Sequence, residues 1–72
     1  MSNLESVVDR VNLRVLDLPP DETADLVLIQ ELDRAGISEV ELGEAWETAD
    51  GWSWPTSGLI QYGSGRLALV KG

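Results

Sequence analysis

The residues able to do chemistry in this 72-residue chain are few, and what is missing narrows the choice first. There is no histidine and no cysteine. General acid–base catalysis most often uses histidine, and zinc is rarely held by carboxylates alone. Neighbouring carboxylates such as Glu41 and Glu44 read as the solvated face of a helix. Lys71 stands next to the last residue and reads as a solvated end rather than a buried nucleophile. Gly63-Ser64-Gly65 reads as a turn, because no helix follows it to aim an N-terminal dipole at a phosphate. No nucleotide-binding P-loop, nucleophile elbow or paired-histidine zinc motif occurs. Asp21, Glu22 and Asp25 offer oxygen ligands without the spacing of a calcium loop, and they fit better as charges at a helix N-terminus. The expectation is a protein that is not an enzyme and holds no cofactor or metal.

Binding is the chemistry that remains. Trp46, Trp52, Trp54 and Tyr62 are all the aromatic residues of the chain. Trp52 and Trp54 would share one face of an extended Trp-Ser-Trp-Pro segment. They either close a small core or form an anchor patch for a partner, since tryptophan is enriched in interface hot spots. Around them the charge is strongly negative: thirteen acidic residues face five basic ones, for a net charge of −8. From Asp17 to Asp50 the only base is Arg34, whereas the last 22 residues carry only Arg66 and Lys71. Such a middle segment repels a phosphate backbone, whose affinity for proteins comes mostly from lysine and arginine. It would steer a basic partner instead. Acidity of this kind also suits a molar-salt cytoplasm.

A chain of this length forms one domain, spanning residues 1–72, and buries only about 60% of its unfolded surface. Without a disulfide, its remaining supports are efficient packing, self-assembly or a partner. No stretch approaches the roughly 20 apolar residues of a membrane span, so no membrane is expected among its partners. The first residues show no basic segment followed by an apolar run. The expected place is the cytoplasm, or a virion assembled there.

The elements that must position these residues are legible in part. Ser2 with Glu5 fits a capping box, and Leu4, Val7, Val8 and Val11 then follow helical spacing. A helix over about 3–14 is expected, with the alternation Val11, Leu13, Val15 favouring an extended end. Pro19-Pro20 stops it. Asp21 is the candidate N-cap of a second helix over about 22–35. Its stripe is Ala24, Leu28, Leu32 and Ala35, widened by Val27 and Ile29, and Gly36 is its expected C′ residue. Ser38 with Glu41 makes another capping box, and Ile37 with Leu42 a hydrophobic staple. Leu42, Ala45, Trp46 and Ala49 keep helical spacing, so a third helix over 39–49 is favoured. Its rival is a hairpin pairing 46–49 with 52–55 across Asp50-Gly51. Residues 58–71 read as a hairpin around Gly63-Ser64-Gly65, with Leu59 facing Leu69, Ile60 facing Ala68 and Tyr62 facing Arg66.

Three helices, a Gly36-Ile37-Ser38 turn and a C-terminal hairpin resemble a helix-turn-helix or winged-helix module. The resemblance covers about residues 22–71. It implies a small α+β fold in which residues 39–49 are the recognition helix and Gly58-Leu59-Ile60 with Gly65-Arg66-Leu67 the wing. The alternative fold is one or two helices on a small antiparallel β-meander. Leu32 stands where the family has a small residue, and Glu31 where it has an apolar one. The implied recognition helix offers Glu39, Glu41, Glu44 and Glu47, with no Arg, Lys, Asn or Gln to read bases.

Three functions are therefore expected in order. The first is a non-catalytic protein-interaction module: an adaptor, an inhibitor or a small assembly component, as in a phage particle. Its candidate binding residues are Trp46, Trp52, Trp54, Glu39, Glu41, Glu44 and Glu47, and its partner a protein with a basic surface or copies of itself. The second is a helix-turn-helix regulator adapted to high salt, touching nucleic acid through Arg10, Arg14, Arg66 and Lys71. The third is an acidic mimic of DNA.

Overall fold

A computed structural model describes residues 3–70. Two longer helices, α1 (Asn3–Val15) and α2 (Ala24–Arg34), precede a single helical turn, α3 (Glu39–Leu42). Four strands follow: β1 (Trp46–Thr48), β2 (Gly51–Trp54), β3 (Leu59–Tyr62) and β4 (Leu67–Leu69). They pair antiparallel in chain order, β1-β2-β3-β4. The fold is α+β, and its sheet is the meander of the alternative architecture, carrying three helices rather than one or two.

The first helix continues to Val15 instead of ending in an extended piece. Val7 and Val11 are buried, and Leu4, Val8 and Val15 pack beside them. Burial along one helical face here outweighs the strand preference of branched side chains, while Leu13 of the alternating set points to solvent. The Ser2 half of the expected capping box lies outside the described residues.

The cap of α2 is Thr23, not Asp21. Pro19 to Glu22 form a turn closed by a 3.0 Å bond from the Glu22 amide to the Pro19 carbonyl. That turn places Asp21 too early, and Thr23 Oγ1 instead accepts from the Leu26 amide at 3.2 Å. The inward stripe is Val27, Leu28, Glu31 and Leu32. At the C-terminal end Gly36 adopts φ +72. Its amide donates to the Asp33 carbonyl at 3.1 Å, and Ile37 donates to Leu32 at 2.9 Å. These two bonds are the Schellman closure that a C′ glycine permits.

Ser38 and Glu41 form the expected capping box, with the Ser38 amide donating to the Glu41 carboxylate at 2.6 Å. The helix does not continue to residue 49. Gly43 takes φ +88, a left-handed conformation that ends the turn. The hairpin is formed instead, in a register different from the one weighed in the sequence. Trp46 pairs with Ser53, Glu47 with Trp52 and Thr48 with Gly51. The two-residue turn is thus Ala49-Asp50, not Asp50-Gly51. Gly51 lies in the strand, paired with Thr48 and Tyr62, and must be glycine because an added Cβ there would run into the Gln61 carbonyl.

The C-terminal hairpin has the expected register, Leu59 opposite Leu69 and Ile60 opposite Ala68. The Tyr62 amide donates to the Arg66 carbonyl at 2.9 Å, and Gly65, at φ +94, closes the three-residue loop. One edge of the sheet is covered by α1. Asn12 donates to the Leu67 carbonyl at 3.0 Å and accepts from the Leu67 amide at 2.7 Å. A side-chain amide thereby replaces the missing strand beyond β4.

The core is aliphatic: Val7, Val11, Val27, Leu28, Leu32, Leu42, Leu59 and Leu67. One charge enters it. Glu31 is only 3% exposed, and its Oε2 accepts from Arg14 Nη1 at 2.9 Å. Its Oε1 has no hydrogen-bond partner. The carboxylate at a position where a helix-turn-helix would be apolar is therefore an ion pair between α1 and α2.

Candidate functional site

Strand alternation sorts the sheet's side chains into two faces. On the face toward the helices, register places Glu47, Trp52, Gln61 and Leu67 in one row across the four strands. Trp54, Leu59 and Leu69 form the next row. Leu59 and Leu67 are core, and Trp54 and Leu69 pack against it. The β1–β2 half of this face is not fully covered. There α2 stands off from the strands, leaving a groove of about 320 Å³ lined by Asp25, Leu28, Ile29, Glu39, Ala45, Trp52, Trp54 and Gln61. It continues into a recess bounded by Leu32, Leu42 and Gly43.

The groove has apolar walls and acidic lips. Ile29 and Trp52 are large apolar residues left 49% and 41% exposed on its two sides. Trp54, half-buried, lines it together with Leu28, which belongs to the core. Asp25 is in the first turn of α2 and Glu39 opens α3. Both line the groove, and Glu47 stands directly across from Trp52. The turn at Gly36 leads from α2 into α3 so that both border the recess, and Gly43 then brings Ala45 to the groove's rim. An added Cβ at Gly43 would stand 2.6 Å from Thr56 Cβ, so the chain passes tightly between α3 and the β2–β3 turn.

The structure divides the seven candidate binding residues. Trp52, Trp54 and Glu39 line the groove, and Glu47 stands beside it on β1, across from Trp52. Trp46 does not: it pairs with Ser53, and that parity puts it on the opposite face of the sheet, 58% exposed. Glu41 is engaged in capping α3. Glu44 is an exposed residue of the α3–β1 connection, outside the groove. Residues not nominated from the sequence also belong to the site, chiefly Asp25, Ile29 and Gln61. Ile29 carried a signal, since it widens an already sufficient apolar stripe and so must emerge from it.

The basic residues are dispersed. Arg14 donates to Glu31, to Glu22 at 3.3 Å and to Gln30 at 3.0 Å, so its guanidinium is occupied within the protein. Arg10 and Arg34 line a recess with it between α1 and α2, whereas Arg66 lies in a different recess with Asp9, Asn12 and Leu16. Lys71 lies outside the described residues. Among the described residues no group of three or more Asp or Glu is arranged to hold a metal ion. No helix among them is long and apolar enough to cross a membrane. No protein-family model, curated protein or solved structure matches the chain.

Proposed function

We propose that this chain is a non-catalytic protein-interaction module whose groove between α2 and β2 captures a basic segment with an apolar face. The observation that carries the reading is the groove's composition: exposed Ile29 and Trp52 flank a partly buried Trp54, with Asp25 and Glu39 at the lips. Apolar walls supply burial, worth about 25 cal/mol per Å² before ordering costs are subtracted. The carboxylates, backed by a net charge of −8, speed the encounter and select cations.

Calorimetry with two helical peptides tests this: one with Lys on its polar face, one with Glu, sharing the same Leu face. The Lys peptide should bind and weaken as salt rises, and the Glu peptide should not bind. Trp52→Ala should abolish binding while leaving the fold intact. Equal affinity for both peptides, or binding untouched by Trp52→Ala, contradicts the reading.

A winged-helix-like reading draws support from the Gly36-Ile37-Ser38 turn and the β3–β4 hairpin with Arg66 beside its loop. It predicts duplex binding in molar potassium that is lost in Arg66→Ala. A DNA-mimic reading draws only on the carboxylates, and predicts competition with DNA for one partner in which Trp52 is dispensable.

A further inference from the structure

The sheet has a second face, and among the described residues no helix packs on it. Trp46, Ser53, Ile60 and Ala68 cross it in one row. Thr48, Gly51 and Tyr62 form the next, with Arg66 beside Tyr62. Val70, paired to Gly58 at 2.7 Å, extends the face at the far end. Trp46 and Val70 are each 58% exposed and Tyr62 44%. The solvated side of an antiparallel sheet ordinarily alternates to polar and charged residues. Here none of the chain's thirteen acidic residues occupies a position on this face, and Arg66 is its one charge.

We infer that this face docks on the same face of a second copy of the chain, forming a two-sheet sandwich with helices and grooves on the outside. Two properties select a second copy over a foreign partner. First, apart from Arg66 beside the loop, the polar side chains of the face, on Thr48, Ser53 and Tyr62, are all hydroxyls. Each is both donor and acceptor, so any two of them can pair whichever meet across a two-fold axis, where each contact of residue i with j is repeated as j with i. Second, every copy carries a charge of −8. A basic partner is drawn to the carboxylates of the helical side, while two copies repel least through the one surface without them. Facing sheets pack about 10 Å apart, which would cover Trp46, Ile60 and Tyr62 together. A chain of this size gains from the extra burial. The inference stands independently of the groove's role.

Sedimentation equilibrium of the full chain tests it, from micromolar to millimolar concentration and at low and high salt. The expected mass is twice the 7.9 kDa of the chain, with dimerisation strengthening as salt screens the repulsion between copies. Trp46→Glu and Tyr62→Glu are two independent variants at exposed positions, each checked for folding by circular dichroism. Either should weaken the dimer about 100-fold, because a buried like-charge pair costs several kcal/mol. Ile29→Glu, on the groove side, should leave the mass doubled. A monomer throughout overturns the inference. So does a dimer that survives both face variants, or one that Ile29→Glu dissociates.

Discussion

The two faces of this sheet are built from alternate residues of the same strands, yet they meet different surroundings. Toward the helices stand Trp52 and Trp54, beside a groove with Asp25 and Glu39 at its lips. On the reverse stand Trp46 and Tyr62, among hydroxyls and without a carboxylate. Proximity in sequence says nothing about this division. Trp46, Trp52 and Trp54 lie within nine residues, but a two-residue turn at Ala49-Asp50 pairs Trp46 with Ser53 and so gives it the opposite parity. A charge-selective site and a surface without carboxylates can therefore sit back to back on one thin sheet.

The largest expected effect comes from removing what both faces share. Leu59, the first residue of β3, is fully buried in the core. Leu59→Ala should cost about 3 kcal/mol, most of the stability a domain this small commands, and urea unfolding reads it directly. Next is the ion pair behind the groove. Arg14→Met leaves the Glu31 carboxylate buried without its cation and should also cost about 3 kcal/mol. The double variant Arg14→Met with Glu31→Leu should recover most of that loss in a thermal melt, since an apolar pair of similar volume replaces a costly charge pair. Recovery of nothing would mean the pair contributes net stability.

The Gly65→Ala variant acts where the hairpin loop meets the helices. Its residue sits at φ +94, and the new methyl would press on Ala24 of α2, so a loss of about 1–3 kcal/mol is expected. The smallest effects sharpen the comparison most. Trp52→Ala should cost about 1 kcal/mol of stability, and Trp46→Ala within about 0.5 kcal/mol, because Trp52 is the more buried of the two. Their binding phenotypes should separate: only Trp52→Ala should affect a peptide in the groove.

What the sequence made legible was local. Gly36 after a completed stripe, Ser38 three residues before Glu41, and a glycine-rich loop between alternating strands each specify their geometry through neighbours, and all three stand as expected. The third helix failed because Leu42, Ala45, Trp46 and Ala49 satisfy helical spacing by coincidence. The torsion of Gly43 and the pairing of β1 with β2 override it. Contacts distant along the chain left no sign. Arg14 and Glu31 are 17 residues apart, and Asn12 and Leu67 are 55 apart. The site was half legible for the same reason. Its tryptophans are conspicuous residue types, but Asp25 and Ile29 become groove residues only once α2 is laid against β2.

One titration reaches the central claim directly. Two proteins, each keeping a single tryptophan at position 52 or 46 with phenylalanine at the others, are followed by fluorescence as the Lys-faced amphipathic peptide is added in dilute solution. The emission of Trp52 should shift to the blue and return on raising the salt, while that of Trp46 stays constant. Equal shifts at both positions, or a response from Trp46 alone, would contradict an acidic groove on only one side of the sheet.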